Sequence, residues 1–265
     1  MKLVIHCGLH KTATSSFQQF CHYNRSTLFD IGVYYPKYKD KNQHSYLIHD
    51  IQNIGMSSIH DFLIEAYAEV QGDCHTVLLS GENFENCIVD VALAADIETT
   101  AYKAGFESVT WVVVTREQDS LLKSLYSELS KHGVTLRLDN LKSWAEKRGC
   151  LFISASKCNH IFVLDYRRFE DRFKRHTSGT QIELPFEDFV REYTGMVLFE
   201  RLLPENNIST LRERAIFSND AVNTRLSEYN IEANYVATAL KVERIRKRPY
   251  SFLLLPLILL RNRKT

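Results

Sequence analysis

The first residues of the chain form a short apolar segment that ends at a glycine and leads into a lysine and several hydroxyl side chains. Residues 3–7 are largely apolar, Gly8 follows them, and Lys11 comes three residues later. This order predicts a strand, a tight loop and a helix N-terminus, where backbone N–H groups and the helix dipole favour an anion. Short hydroxyl donors follow the lysine at Thr12, Thr14, Ser15 and Ser16. The segment predicts a phosphate-binding loop, and the alternative is an ordinary strand-to-helix turn capped by a threonine or serine.

The spacing of this loop differs from that of nucleoside-triphosphate loops. Those loops need G-x-x-x-x-G-K-[ST], whereas here Gly8 precedes Lys11 by three residues without a second glycine. Residues 11–15 resemble instead the 5′-phosphosulfate loop of sulfotransferases that use 3′-phosphoadenosine 5′-phosphosulfate (PAPS), with the pattern K-[ST]-G-[ST]-[ST]. Ala13 stands at the glycine position, where a methyl group would be tolerated if the helical backbone has already begun, but would leave less room for the phosphate. The resemblance implies cofactor contacts from Lys11, Thr12, Ala13, Thr14 and Ser15.

A second phosphate site is predicted where a β-branched, apolar segment ends. Residues 108–115 are typical of a buried parallel strand, and the leucine spacing after residue 120 predicts a helix. The sulfotransferases that this chain resembles hold the 3′-phosphate of the cofactor with an arginine at a strand end and a serine eight residues later. Arg116 and Ser124 fit that spacing. A guanidinium matches phosphate bidentately. The alternatives are a surface arginine and a serine that packs a helix.

The resemblance is to a bacterial branch of these sulfotransferases, and it covers roughly residues 3–225. Weaker signatures lie at 32–36, His44, 79–84, 116–119 and 207–209. It implies an α/β fold of three layers, α/β/α, with a central parallel sheet like that of P-loop nucleotide kinases. The alternating strand and helix patterns favour the same class. We predict strands at 3–7, 32–35, 76–80, 108–115 and 161–164, and helices at 12–28, 57–70, 90–104, 117–131 and 137–147. Helices are also expected beyond residue 185.

The catalytic base is expected at one of two positions. Glu82 follows the predicted strand 76–80, at the sheet edge where ligands bind, and the alternative is that it caps the next element. His44 lies in a polar loop, and its ordinary pKa suits proton transfer, although a loop histidine can equally be a surface residue. His10 would contact the leaving phosphate or the substrate, or face solvent. Lys11 would neutralise charge on the leaving 5′-phosphate.

Composition limits the partners and the compartment. The net charge of +1 gives no reason to expect a nucleic-acid partner. The chain shows no metal-ligand spacing, and we predict no metal. It has no C-x-x-C pair, so we expect reduced thiols in a cytoplasmic setting at Cys7, Cys21, Cys74, Cys87, Cys150 and Cys158. No signal peptide is expected, because the first strand begins at once.

The C-terminus is basic and apolar, and the resemblance does not explain it. Residues 252–260 are nine apolar residues interrupted by Pro256, with basic clusters at 244–248 and 261–264. This is too short to cross a bilayer, which takes about 20 residues. Three interpretations of residues 249–265 stay open: packing on the core, docking to a partner or second copy, and contact with the inner membrane surface. We divide the chain into an α/β domain at 1–232 and a helical, apolar extension of that domain at 233–265.

The predicted function is therefore transfer of a sulfuryl group from PAPS to a hydroxyl of a carbohydrate or glycolipid, with 3′-phosphoadenosine 5′-phosphate (PAP) as the product. The acceptor class follows from the resemblance alone, because a fold does not specify an acceptor. One alternative is a non-catalytic relative that binds a nucleotide or a glycan. The other is a P-loop small-molecule kinase, which would need the second glycine and magnesium ligands.

Overall fold

The computed structural model describes residues 1–70, 74–134, 136–154, 159–217 and 226–239. Within them the strands are β1 (Lys2–Cys7), β2 (Val33–Tyr34), β3 (Thr76–Gly81), β4 (Ser108–Thr115), β5 (Cys150–Ser154), β6 (Asn159–Val163) and β7 (Thr180–Pro185). The helices are α1 (Thr14–Tyr23), α2 (Arg25–Asp30), α3 (Ser45–Ile54), α4 (Ser57–Glu69), α5 (Asn86–Val89), α6 (Val91–Lys103), α7 (Gln118–Lys131), α8 (Leu138–Arg148), α9 (Arg167–His176), α10 (Phe186–Val190), α11 (Met196–Leu202), α12 (Glu205–Arg214) and α13 (Glu228–Ala239), with a 3₁₀ turn at Glu82–Glu85.

Five strands form a parallel sheet in the order β2-β3-β1-β4-β7. The first strand is central, and its last residue, Cys7, lies opposite Gly81 on one side and Val113 on the other. Because parallel strands all end at one edge, the segments after β1, β3 and β4 meet there. Ligands bind at this edge in open α/β sheets. We call it the strand-end edge, and the opposite one the strand-start edge.

Both faces of the sheet are covered. Along β1, Leu3, Ile5 and Cys7 pack with helices α3, α4, α6 and α9 on one face. Val4 packs on the other face, in a cluster that α1, α2 and α10 to α12 complete. This alternation follows from the two-residue period of a strand. The fold is α/β with a central parallel sheet, and it is compatible with the predicted three layers.

Two predicted elements differ in the structure. The helix expected over 12–28 is divided into α1 and α2, because the side-chain amide of Asn24 donates to the carbonyls of Phe20 and Ile216, both at 2.9 Å. The strand expected at 161–164 forms as β6, but it pairs antiparallel with β5 outside the central sheet. The fifth strand of that sheet is instead β7, which the sequence did not predict.

The strand β7 is held in place by a buried carboxylate. Glu98 on α6 accepts hydrogen bonds from Trp111 Nε1 at 2.7 Å and from the backbone N–H and hydroxyl of Ser178 at 2.7 and 2.8 Å. It also accepts the N–H of Gly179, the residue before β7, at 3.0 Å. The contacts of Glu98 with Ser178 and Gly179 join segments about 80 positions apart at the strand-start edge.

The last described helix, α13, packs on α7, where the rings of Tyr126 and Tyr235 lie 5.7 Å apart. It crosses the predicted boundary between the domain at 1–232 and the extension at 233–265, and the apolar segment at 249–265 lies outside the described residues. In the described chain, no helix is both long and apolar enough to cross a membrane. Cys158 lies outside the described residues as well, and the free thiols are Cys7, Cys21, Cys74, Cys87 and Cys150.

Candidate functional site

The loop at residues 8–13, which we call the phosphate loop, joins β1 to α1 at the strand-end edge. The N–H of Gly8 donates to Gly81 O at 3.3 Å, which ties the loop to the end of β3. A Cβ atom at Gly8 would lie 2.2 Å from Thr14 Cγ2, so only glycine fits there. The backbone N–H and the hydroxyl of Thr12 both donate to Leu9 O, at 3.2 and 2.6 Å. The loop is thus closed by its own hydrogen bonds.

Ala13 corrects one expectation from the sequence. Its φ of 62° and ψ of 20° are left-handed, and the helix begins only after it, at Thr14. The condition for tolerating the methyl group, a helical backbone that has already begun at Ala13, is therefore not met. A residue with a Cβ atom in this conformation costs about 1–2 kcal/mol, and glycine avoids that cost. Ala13 therefore carries backbone strain that a glycine at this position would not have.

The hydroxyl groups of the loop divide into two kinds. Thr12 and Thr14 are buried, and both hydroxyls point to the carbonyl of Leu9, at 2.6 and 3.5 Å. They build the loop and do not offer their hydroxyls to a ligand. Ser15 is half-buried in the first turn of α1. Helix α1 has no side-chain cap from Ala13, so its first N–H groups are left as donors for an anion.

Lys11 is paired with a carboxylate that the sequence analysis missed. Its Nζ donates to Glu128 Oε2 on α7 at 3.1 Å. Lys131 donates to the same oxygen at 3.0 Å, and His132 Nε2 lies 3.2 Å from Oε1. Hydrogen bonding from His132, with the charge of Lys11, outweighs burial and holds the pKa of Glu128 well below its ordinary value. An anion that binds Lys11 must therefore compete with Glu128.

Arg116 contacts the phosphate loop directly. It follows β4, and its Nη1 donates to the carbonyl oxygen of Lys11 at 2.7 Å. Its guanidinium carbon lies 4.3 Å from the ring centre of Phe186, which follows β7. Ser124 lies on α7 one turn before Glu128, so it shares the helix face that meets Lys11. The structure therefore brings both predicted phosphate elements to the strand-end edge.

His10 lies between two carboxylates, one of which the sequence analysis missed. The backbone N–H and the ring Nδ1 of His10 contact Glu85 Oε2 at 3.0 and 2.5 Å. The other oxygen of Glu85 accepts the N–H of Val163. On the other side of the ring, Nε2 lies 3.7 Å from Glu82 Oε2. Burial alone would lower the pKa of His10, but the charge and hydrogen bond of Glu85 and the charge of Glu82 raise it above its ordinary value.

The accessibility of these three groups differs sharply. The Glu85 side chain is 1% exposed, that of His10 16% and that of Glu82 34%. Glu82 occupies the predicted position directly after β3, where its N–H donates to Ser45 Oγ at 2.8 Å. The only sequence signal for Glu85 was its place three residues after Glu82, in the same turn.

His44 differs from His10 in its burial and in its hydrogen-bond partners. It is fully buried; its Nδ1 accepts the N–H of Ser80 at 3.0 Å, and its Nε2 lies 3.0 Å from Pro36 O. Burial lowers the pKa of His44 to about 4. With both ring nitrogens bound to backbone groups, the imidazole anchors residue 36 to β3. This geometry argues against His44 as a base.

Comparison of the chain with protein families and with curated proteins finds no match. Among the described residues, no group of three or more His, Cys, Asp or Glu side chains is arranged to hold a metal ion. Any assignment of function therefore depends on the residues of the strand-end edge themselves.

Proposed function

We propose that this chain is a PAPS-dependent sulfotransferase with a P-loop-like fold, acting on a hydroxyl of a carbohydrate or glycolipid. One observation carries the proposal most strongly: Arg116 donates to the carbonyl oxygen of Lys11 at 2.7 Å. The two residues were predicted separately, from motifs 105 positions apart, to hold the 3′- and 5′-phosphates of one nucleotide. Their contact makes the two motifs neighbours at one sheet edge, and a single ligand with two phosphates would need both motifs within its reach.

The groups present suit such a nucleotide. An uncapped helix N-terminus, Lys11 and Ser15 offer donors for a 5′-phosphate, and Arg116 with Ser124 offers donors for a 3′-phosphate. When bound, PAPS supplies a sulfuryl group on a phosphate leaving group. Lys11 would exchange Glu128 for that phosphate and neutralise the charge that develops on it.

The acceptor hydroxyl would lie beside His10 and Glu82, two partly exposed titratable groups at the strand-end edge. One of the two takes its proton. A carboxylate that is one-third exposed also suits hydrogen bonds from sugar hydroxyls. The carbohydrate or glycolipid class itself rests on the resemblance of the sequence to the bacterial branch.

A second candidate, a nucleotide-binding protein without turnover, is favoured by two features of the same loop. The strain at Ala13 and the pairing of Lys11 with Glu128 both weaken a phosphate site. Turnover of PAPS to PAP distinguishes the enzyme from the binder. For the kinase alternative, the structure offers no supporting observation.

The first test is thermal unfolding with PAP, AMP or ATP–magnesium, all at one concentration that is about one hundred times the dissociation constant of the wild type for PAP. A ligand at that level stabilises by about 2.7 kcal/mol, which raises the melting temperature by several degrees. We expect a rise specific to PAP that shrinks in Lys11→Ala and in Arg116→Ala. Lys103→Ala, at an exposed position on α6, is the control. An equal rise with AMP, or a larger one with ATP–magnesium, would contradict the proposal.

We place this activity in the cytoplasm, with residues 249–265 as a candidate contact with the inner membrane surface. The basic and apolar composition of that segment supports the contact. Flotation with anionic vesicles, for the full chain and for a chain ending at residue 248, tests it. Equal binding by both would contradict the membrane role.

A further inference from the structure

The histidine of the phosphate loop has one ring nitrogen on a buried carboxylate and the other facing the partly exposed Glu82. Glu85 Oε2 lies 2.5 Å from Nδ1 and also accepts the backbone N–H of the same residue, His10. Because a carboxylate only accepts, the hydrogen between them belongs to Nδ1. In the neutral ring, Nε2 therefore carries the free lone pair.

Glu85 has no freedom to take another position. Its second oxygen accepts the N–H of Val163 at the end of β6, and its side chain is 1% exposed. The ring centroids of Phe162 and His10 lie 4.4 Å apart. This contact also limits rotation of the imidazole. A buried carboxylate and a packed aromatic ring thus hold the direction of Nε2.

The free nitrogen points to the region where the reaction would occur. Nε2 lies 3.7 Å from the partly exposed Glu82, and His10 immediately precedes Lys11 in the chain. A general base must lie within hydrogen-bond reach of the acceptor hydroxyl, and an in-line transfer puts that hydroxyl on the side of sulfur opposite the leaving phosphate oxygen.

We infer that His10 is the general base of the reaction, with Glu85 as the residue that positions it and Glu82 as a contact for the acceptor. The inference rests on the proposed sulfotransferase function. The acceptor oxygen forms a bond to sulfur while the bond from sulfur to the 5′-phosphate oxygen breaks. The electron pair of the broken bond stays on that phosphate, the hydroxyl proton passes to Nε2, and Nε2 later releases it to water.

The charges around His10 are compatible with this role. The groups that face it are the carboxylates of Glu82 and Glu85 and the side chains of Lys11 and His160. The two carboxylates outweigh the cation, so the pKa of His10 lies above its ordinary value. A base with a pKa near the working pH combines a useful free fraction with a strong affinity for the proton.

The inference is tested first without nucleotide, by NMR titration of the His10 ring in the full chain, assigned with His10→Gln. We expect the wild-type ring to titrate above pH 6.5. The pKa of His10 should be lower in Glu85→Gln than in the wild type. In Glu85→Asp it should lie between these two values. Glu82→Gln should lower the pKa less. The same pKa in Glu85→Gln and the wild type, with both folded by near-UV circular dichroism, would overturn the positioning role.

The second test is the pH profile of PAP release from PAPS with a mixture of methyl glycosides as acceptors. We expect the rate to rise with pH through the His10 pKa, and this rise to move to lower pH in Glu85→Gln. His10→Gln should lose about 10²- to 10⁴-fold in rate and keep the thermal shift with PAP. A rise that survives in His10→Gln and disappears in Glu82→Gln would make Glu82 the base instead.

Failure of the proposed function is distinguishable from failure of this inference. If PAP produces no thermal shift and PAPS is not turned over, the sulfotransferase assignment and the base role are both wrong, although the NMR titration still reports whether Glu85 controls His10. If PAP binds and PAPS is turned over without dependence on His10, only the base assignment is wrong.

Discussion

At the strand-start edge of the sheet, Glu98 is buried and accepts four hydrogen bonds, whereas at the strand-end edge the equally buried Glu85 bonds an imidazole ring. The donors to Glu98 come from Trp111, Ser178 and Gly179, and all of them are neutral. The contacts of Glu85 lead through His10 to a nitrogen that faces the partly exposed Glu82. Burial and hydrogen bonding are thus common to both carboxylates. The difference on which our proposal depends is that the partner of Glu85 is titratable and lies beside a partly exposed side chain.

The strand-end edge also contains a strained residue and an ion pair at the place where we propose that a ligand binds. Ala13 is left-handed, and Lys11 pairs with Glu128, so a phosphate would have to replace Glu128 as the partner of Lys11. Functional sites commonly retain features that cost stability. We therefore expect substitutions at the strand-start edge to change the free energy of unfolding, and substitutions at the strand-end edge to change mainly binding and turnover.

The largest effect is expected for Glu98→Ala. It removes the acceptor for four donors on three residues, and we expect the free energy of unfolding to fall by roughly 4 kcal/mol, since each unpaired buried donor costs about 1 kcal/mol or more. Urea unfolding measures this. The thermal shift with PAP should persist, and Glu65→Ala on an exposed face of α4 is the control. A loss below about 1 kcal/mol would remove the contrast between the edges.

His44 sharpens the comparison, because it lies at the strand-end edge but has backbone partners. Its folded pKa of about 4 lies below the ordinary 6.5, so the unfolded chain takes up a proton first as the pH falls. Stability should fall by roughly 3 kcal/mol between pH 6.5 and 4 for this group. His6, whose pKa burial lowers to about 3, adds a loss of the same sign. Urea unfolding of His44→Gln should show a weaker acid dependence than the wild type and an unchanged thermal shift with PAP at pH 7.5.

An acid dependence in His44→Gln as steep as that of the wild type would show that this imidazole does not control acid stability. A lost PAP shift in a folded His44→Gln would give His44 a role in the site, and the comparison between the two edges would need another basis.

A smaller effect is expected for Glu128→Gln. The variant removes the negative charge that competes for Lys11, while Lys131 and His132 remain as neighbours. We expect PAP to bind severalfold more tightly, consistent with about 1 kcal/mol for a partly exposed ion pair. Isothermal titration calorimetry with PAP measures the change in affinity. Glu146→Gln, at an exposed position on α8, is the control. Weaker binding in Glu128→Gln would mean that this carboxylate supports the ligand.

The smallest effect is expected for Ala13→Gly. Glycine removes the strain at a φ of 62°, but it also gives the unfolded chain more freedom, so the net gain in stability should be about 0.5–1 kcal/mol. Ala94→Gly, at a buried position within the right-handed helix α6, should instead lose stability. Thermal unfolding compares the two, and a loss at residue 13 would show that the left-handed conformation carries no strain.

Local pattern was sufficient for much of the fold. The apolar and β-branched segments predicted β1, β3 and β4 to within a residue or two, because buried parallel strands have a nearly continuous apolar sequence. The order of strand, glycine, lysine and helix predicted the phosphate loop, since it depends on neighbouring residues only. The strand β7 could not be predicted in this way, because contacts with Glu98, about 80 positions away, hold its start.

The sequence by itself determined which groups with phosphate chemistry follow the strands: Lys11 after β1, Arg116 after β4, and Ser124 on the helix after that. Only the tertiary structure decided which titratable groups meet. His10 and His44 are the same side chain in polar loops, yet one meets a buried carboxylate and the other meets backbone carbonyl and N–H groups. The pKa of an imidazole depends on charges and burial within a few ångströms, and those neighbours come from distant parts of the chain. The contacts from which we propose His10 as the base were therefore beyond sequence reasoning, whereas the order of residues in the loop was not.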